Sequence, residues 1–133
     1  MHEGKRVLIV DDDREIVLGL SIRLRAAGYQ VLAANDGQTG LAAAVEHRPD
    51  AIILDIRMPI MGGLEVLAKL REQPYAESMP VVVLSANVVE ETREKALDLG
   101  ARCFMVKPYQ AVDVIAAVDS VLKVPCPNNH EAP

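Results

Sequence analysis

The sequence predicts an α/β domain in which five parallel strands form a doubly wound sheet with helices on both faces. Five short aliphatic runs recur along the chain, and each is followed by a segment whose apolar residues have helical spacing. Hydrophobic residues make up 50% of the chain and aromatic residues only 3%, a composition that suits helices packed on a sheet. Repeats of this kind are joined by right-handed crossovers, and the expected strand order is 2-1-3-4-5.

Each predicted strand has the length and aliphatic content of a buried strand in a parallel sheet. The strands are expected at residues 6–10, 30–34, 51–54, 81–84 and 103–106. The helices that follow them are expected at about residues 13–27, 36–47, 62–72, 90–99 and 109–123.

The first two helices have recognisable ends. One apolar stripe runs along the first helix, and its members are Ile16, Val17, Leu20, Leu24 and Ala27. Gly28 is expected to end this helix because glycine readily adopts a left-handed conformation. Gly19 lies inside it, at a cost of about 1 kcal/mol relative to alanine, and close approach of another backbone or of a partner would explain it. Asn35 or Asp36 can cap the second helix, which ends before Pro49.

The remaining helices follow the same logic. The third places a stripe of small and aliphatic residues toward the core, namely Leu64, Leu67, Ala68 and Leu70. Pro74 closes it, since proline cannot continue a helix. The fourth is followed by another glycine, Gly100, and the fifth ends near Lys123.

Composition and charge argue against several classes of protein. A formal net charge of -5 disfavours direct nucleic-acid binding, because phosphate contacts need a basic face. No apolar run approaches the roughly 18 residues that span a bilayer, so no membrane association is expected and the protein is expected to be cytoplasmic. Cys103 and Cys126 have neither a CxxC spacing nor a nearby histidine, which disfavours a cysteine-based metal or redox site.

Five polar residues close the predicted strands or follow them directly. Asp11 and Asp12 follow the first strand, and Asp55, Ser85 and Lys107 follow the third, fourth and fifth. Parallel strands end at a common edge, and open sheets bind ligands there at the point where the strand order reverses. Carboxylates on strands about 5 Å apart repel by about 3 kcal/mol at an effective dielectric near 20. The cluster is therefore expected to bind a cation.

Mg²⁺ is the cation that suits an all-oxygen site with positions left for water and phosphate. Asp12 and Asp55 are expected to be direct ligands, the backbone carbonyl of Arg57 a third, and Asp11 a ligand through water. Asp13 is expected to lie in the first turn of the following helix, where the helix dipole favours an acid.

The same edge is suited to hold a tetrahedral anion. Lys107 supplies a mobile positive charge, and Ser85 supplies a hydroxyl beside the backbone N–H of Ala86. A phosphoryl group carried by Asp55 fits best, because a carboxylate can act as a nucleophile and form an acyl phosphate.

The motifs "VDDD", "LDIRMPIMGG", "LSA" and "KP" together resemble those of the receiver domain of two-component response regulators, which has a flavodoxin-like fold. The resemblance covers about residues 5–123. It implies a receiver domain at 1–124 and a disordered tail or linker at 125–133. It also implies that Asp55 accepts a phosphoryl group from a histidine kinase or histidine phosphotransfer protein.

The resemblance further implies roles for the neighbouring residues. Asp11 and Asp12 become the acidic pair for Mg²⁺, and Lys107 the lysine that contacts phosphate. Ser85 becomes the switch hydroxyl. The resemblance also implies a cis Lys107–Pro108 peptide.

Phe104 becomes the aromatic residue whose rotamer reports the state, although it can equally be an ordinary core residue. The face formed by the fourth helix, the fifth strand and the fifth helix would then control a downstream partner, a covalently linked output domain or a phosphorylation-dependent homodimer.

Two other classes of function fit the sequence less well. A Mg²⁺-dependent phosphatase with an aspartyl nucleophile usually carries a second Asp two residues later, where this chain has Arg57. A flavodoxin-like cofactor binder would need a phosphate loop after the first strand, where Asp11, Asp12 and Asp13 would repel phosphate. The chain is therefore expected to catalyse only its own phosphorylation and dephosphorylation, and not to be an enzyme acting on other substrates.

Overall fold

The computed structural model describes residues 4–74, 79–86 and 90–123. Within these ranges five strands alternate with five helices. They are β1 (Arg6–Val10), α1 (Arg14–Ala26), β2 (Gln30–Ala34), α2 (Gly37–His47), β3 (Ala51–Asp55), α3 (Gly63–Arg71), β4 (Val81–Ser85), α4 (Glu90–Asp98), β5 (Cys103–Val106) and α5 (Ala111–Lys123). The tail predicted at 125–133, with Cys126, lies outside the described residues, so that boundary stays a prediction.

The five strands form one parallel sheet in the order β2-β1-β3-β4-β5, which confirms the predicted fold class. In register, Val10 of β1 lies beside Leu54 of β3, and Ser85 of β4 lies beside Val106 of β5. The strands therefore end level with one another. The polar residues at their carboxyl ends are brought to one edge.

The core lies on both faces of the sheet because successive strand residues point in opposite directions. Leu8 and Val10 of β1 pack on the face covered by α2, α3 and α4. Val7 and Ile9 pack on the face covered by α1 and α5. Every residue of β3 and β4 is buried, as expected for central strands covered on both sides.

The helix ends explain why the chain turns where it does. Asp13 is the N-cap of α1 and not a first-turn residue, since its carboxylate accepts hydrogen bonds from the backbone N–H groups of Glu15 and Ile16 at 3.0 and 3.3 Å. Asp36, and not Asn35, caps α2. Gly28 and Gly100 have positive φ angles of 102° and 92°, which confirms their predicted role as helix stops.

The element boundaries differ from the sequence-based ones by one or two residues. β3 and β4 extend to Asp55 and Ser85, so these two residues close their strands instead of following them. α5 begins at Ala111, because the preceding residues form the loop that leads out of the sheet. In α3 the buried stripe includes Val66, which is 2% exposed, while Ala68 is only partly buried.

The described helices are short. The longest, α1 and α5, have 13 residues each, and in the described part of the chain no helix has the length and hydropathy needed to cross a bilayer.

Candidate functional site

Three carboxylates meet at the carboxyl edge of the sheet. Asp11 follows β1 and Asp55 closes β3, and both are almost completely buried, whereas Asp12 is exposed. One oxygen from each carboxylate lies within 4.8 Å of the other two. The structure therefore brings the three carboxylates together, as predicted.

Lys107 lies between two of these carboxylates. Its Nζ is 3.3 Å from Oδ1 of Asp55 and 3.4 Å from Oδ2 of Asp11. The lysine is held in place by its backbone, because its N–H donates to the carbonyl of Ser85 at 2.7 Å across the β4–β5 edge. Among these four side chains the carboxylates outnumber the ammonium group three to one. The cluster therefore retains an excess of negative charge.

Burial and the neighbouring charges together shift the pKa values of this cluster. Burial raises the pKa of Asp55, the neighbouring charge of Asp11 raises it further, and Lys107 opposes both without overcoming them. Burial likewise raises the pKa of Asp11, against the N–H of Asp13 and the Lys107 ammonium. Burial alone would lower the pKa of Lys107, but Asp11 and Asp55 together raise it. An ion pair normally lowers a carboxyl pKa, so a rise beside a lysine means that one ammonium group compensates too little.

The donor set fits a hard divalent cation. Carboxylate oxygens are preferred ligands of Mg²⁺, and the three here are close enough to contact one ion. The site could therefore hold a metal ion that supplies the missing positive charge. Arg57 has an exposed side chain, and its backbone N–H donates to the Asp55 carboxylate. Its carbonyl as a metal ligand stays a prediction.

The predicted switch residues lie on β4 and β5 or directly after these strands. Ser85 is fully buried at the end of β4, and Ala86 follows it at the surface. Phe104 lies on β5, half-buried against the core layer of α2, α3 and α4. The Lys107–Pro108 peptide is cis, as the resemblance implied.

Tyr109 is a polar residue at the site that the motifs did not single out. Its hydroxyl is buried, and no described residue forms a hydrogen bond with it. Burial raises its pKa, despite the opposing charge of Lys107. A groove of about 480 Å³ opens here, lined by Tyr109 with Ile16, Ala86, Lys107 and Pro108. The only sequence signal was a tyrosine directly after the Lys-Pro pair.

A parallel sheet in this strand order, with buried carboxylates paired to a lysine at its carboxyl edge, defines the class of receiver domains. The chain belongs to the response regulator receiver domain family, whose profile matches residues 7–119. Members of this family are signalling modules of two-component systems and not classical enzymes.

Relatives of known sequence include transcriptional regulators. The chain is 41% identical over 118 residues to the transcriptional regulatory protein PrrA of Mycobacterium bovis, covering 89% of this chain and 50% of PrrA. It is 37% identical over 120 residues to the alkaline phosphatase synthesis transcriptional regulatory protein PhoP of Bacillus subtilis, covering 90% of this chain and 49% of PhoP. The chain thus spans about half the length of these relatives.

Solved structures agree on the fold over nearly their whole length. The chemotaxis protein CheY4 of Vibrio cholerae matches with a TM-score of 0.84 and 34% identity, covering 89% of this chain and 98% of CheY4. The receiver domain of the sensor histidine kinase PA1611 from Pseudomonas aeruginosa matches with a TM-score of 0.83 and 26% identity, covering 91% and 99%. That receiver domain was solved with a magnesium ion coordinated in its active site cleft.

Proposed function

We propose that Asp55 accepts a phosphoryl group, in a Mg²⁺-dependent reaction, from a histidine kinase or a histidine phosphotransfer protein. The observation that carries this proposal is the placement of the Lys107 ammonium 3.3 Å from the Asp55 carboxylate, inside a cluster where carboxylates are in excess. A carboxylate with a positive charge beside it and a metal-binding group around it has the parts that phosphoryl transfer needs.

In the transfer step, one bond to phosphorus forms as another breaks. An Asp55 carboxylate oxygen attacks phosphorus as the P–N bond of the donor phosphohistidine breaks. The bond's electron pair leaves with the imidazole, which takes up a proton. Lys107 neutralises charge that develops on the transferred group, since its Nζ already lies within 3.4 Å of both Asp55 and Asp11.

Mg²⁺ would be held by Asp12, Asp55 and the carbonyl of Arg57, with Asp11 acting through water. When bound, it supplies further positive charge to the phosphoryl oxygens. The receiver domain of PA1611 was solved with a magnesium ion coordinated in its active site cleft, which supports Mg²⁺ as the ion.

Hydrolysis of the acyl phosphate would return Asp55 to its carboxylate form, and in this proposal the chain catalyses only its own phosphorylation and dephosphorylation. The alternative, a phosphatase that turns over other substrates, needs an acid–base group near the nucleophile. The residue two positions after Asp55 is Arg57, whose guanidinium stays protonated in proteins and cannot exchange protons. That residue disfavours the phosphatase.

Phosphorylation would change the surface of α4, β5 and α5 by a population shift. A phosphoryl group on Asp55 attracts the hydroxyl of Ser85, which is buried at the end of β4. β4 is paired with β5, and Val83 lies beside Phe104 in that pairing. Movement at Ser85 can therefore reach Phe104 through two adjacent strands.

The donor protein would dock over the groove beside the lysine. Ile16, Ala86 and Pro108 give this groove an apolar lining, and Lys107 and Tyr109 add polar groups next to Asp55. Leu18 and Ile22 are further exposed apolar residues of α1, with 61% and 57% of their surfaces exposed. A helical bundle that carries a phosphohistidine suits such a surface, because its apolar side chains can pack there.

The output would be a protein contact. PrrA and PhoP are about twice as long as the part that this chain matches, so a covalently linked output domain is one candidate. A separate downstream protein and a phosphorylation-dependent homodimer are the others. Direct nucleic-acid binding by this domain remains disfavoured by its net charge of -5.

Beryllofluoride, which mimics a phosphoryl group on aspartate, tests this function. With Mg²⁺ present, it is expected to shift the amide resonances of Ser85, Ala86 and Phe104, and removal of Mg²⁺ by EDTA is expected to reverse the shifts. Unchanged spectra with Mg²⁺ and beryllofluoride, in a protein that is folded, would contradict the proposal.

Lys107→Ala should separate metal binding from switching. Loss of a positive charge beside Asp11 and Asp55 should leave Mg²⁺ affinity unchanged or increase it, while the beryllofluoride response at Phe104 is lost. Mg²⁺ titration and the amide spectrum measure the two effects. Lys69→Ala, at an exposed lysine of α3, is the matched control and should change neither. Loss of Mg²⁺ binding in Lys107→Ala would show that the lysine is instead needed to build the site.

A further inference from the structure

α4 is held weakly by side-chain packing. Of its nine residues, Glu90 to Asp98, only Ala96 is buried. At its amino-terminal end, Glu90 is exposed, and it pairs with Arg93 at 3.7 Å between two exposed side chains. Exposed ion pairs of this kind contribute little to stability. The position of α4 must therefore depend on something other than a large apolar contact.

The carboxyl-terminal end of α4 has a different character. The N–H of Gly100 donates to the carbonyl of Leu97 at 2.9 Å, and the N–H of Ala101 donates to that of Ala96 at 3.0 Å. These two bonds, with the positive φ of Gly100, form the glycine-ended turn known as a Schellman motif. The turn leaves the carbonyl groups of Leu99 and Gly100 directed away from the helix ladder.

Arg71, the last residue of α3, binds these two carbonyl groups. Its Nε donates to Leu99 O at 2.8 Å and its Nη2 donates to Gly100 O at 3.0 Å. Its Nη1 donates to Met79 O at 2.9 Å, just before β4 begins. One planar guanidinium thus ties the end of α3, the end of α4 and the entry to β4 together, using the fixed fork geometry that arginine offers.

The fit at this junction is tight. A Cβ atom added to Gly100 would lie 3.0 Å from Nε of Arg71 and 3.2 Å from its Nη2. The glycine therefore serves both the left-handed turn and the close approach of the guanidinium. Burial and the charge of Arg102 lower the pKa of Arg71, but a guanidinium stays protonated at neutral pH, so all its donors are retained.

We propose that Arg71 is a positioning residue that fixes the carboxyl-terminal end of α4. On phosphorylation, α4 would then pivot about that end. The amino-terminal end, which follows β4 and Ser85 along the chain, would move most. This inference rests on the proposed function, because phosphorylation of Asp55 supplies the displacement.

Amide hydrogen exchange followed by NMR tests the fixed end in the unphosphorylated protein. In Arg71→Gln, the amides of Leu99, Gly100 and Ala101 are expected to exchange about tenfold faster than in the wild type, while those of β3 stay within about twofold. Arg93→Gln removes an exposed arginine of α4 and should leave both sets unchanged. Arg71→Lys keeps the charge but replaces the fork with one ammonium group, so exchange should be accelerated by less than in Arg71→Gln. This variant serves as the test if Arg71→Gln does not fold.

Beryllofluoride with Mg²⁺ tests the pivot. In the wild type, the change in amide chemical shift on adding beryllofluoride should decrease from Glu90 toward Asp98. In Arg71→Gln, this change should be similar along the whole helix. Even shifts along α4 in a responding wild type would overturn the pivot and leave the proposed function intact. Wild-type exchange at Gly100 in the variant, or equal acceleration in β3, would overturn the positioning role. A wild type that gives no response at all would contradict the proposed function, and the pivot with it.

Discussion

Asp55→Asn is expected to abolish phosphoryl incorporation from acetyl phosphate, lowering it by about two orders of magnitude or more. The amide oxygen of Asn is a much weaker nucleophile than a carboxylate and cannot form the acyl phosphate. Asp55 is also 3.3 Å from Lys107, so the change removes the group around which the cluster is built. Phosphorus NMR of the protein during incubation with acetyl phosphate and Mg²⁺ gives the measurement.

The matched control for this change is Asp13→Asn. Asp13 lies on the same loop as Asp11 and Asp12, but its carboxylate caps α1, a role that Asn fills equally well. Incorporation should stay close to the wild-type level in this variant. Equal incorporation in Asp55→Asn and the wild type would place the acceptor elsewhere.

A stability measurement shows whether Asp55→Asn is folded. Burial and Asp11 raise the pKa of Asp55, so at pH 7 the ionised side chain destabilises the folded state relative to the unfolded chain. A neutral Asn removes this penalty, so without Mg²⁺ the free energy of unfolding should be higher in Asp55→Asn than in the wild type. Urea unfolding at pH 7 in EDTA measures the difference.

Gly63→Ala is expected to destabilise the domain by about 3 kcal/mol. A Cβ atom at this position would lie 2.3 Å from the carbonyl oxygen of Asp55 and 2.7 Å from Cα of Ile56. Both are backbone atoms, so they can make room only if β3 and the loop after it move. Because that movement displaces Asp55 itself, Mg²⁺ affinity should fall together with the free energy of unfolding.

Gly19→Ala is the opposite case in the same domain. Among the described residues, nothing lies within 4 Å of a Cβ atom added to Gly19, so close approach of another described segment does not explain the glycine. Alanine in this exposed helical position should stabilise the domain by about 0.5–1 kcal/mol. Urea unfolding compares the two variants. Equal effects of the two substitutions would mean that the contacts at Gly63 do not control stability.

The strand–helix order could be predicted because each aliphatic run is followed by a segment with helical spacing. Burial along the strands was predicted less well: β3 and β4 are buried throughout, whereas the edge strands β2 and β5 are only partly buried. The placement of Asp11, Asp12, Asp55 and Lys107 followed from the rule that parallel strands end at one edge, and the structure brings these four side chains together. The register of the sheet brings them together, and the hydrophobic pattern of the strands helps to set that register.

Arg71 and Tyr109 could not be assigned in the same way. Arg71 acts through backbone carbonyl groups that are 8, 28 and 29 residues away, and no spacing rule relates a side chain to such acceptors. The buried hydroxyl of Tyr109 depends on how the loop after β5 folds against α1. The sequence also left the cap of α2 open between Asn35 and Asp36, because that choice depends on local backbone angles.

The most direct test of the whole account is the Mg²⁺ dependence of phosphorylation in the wild-type protein. Intact-mass spectrometry after incubation with phosphoramidate should show one phosphoryl group per chain when Mg²⁺ is present and none in EDTA. The three carboxylates and one lysine predict this dependence because they leave negative charge that a divalent ion must neutralise. The same adduct with and without Mg²⁺, or no adduct in either case, would contradict it.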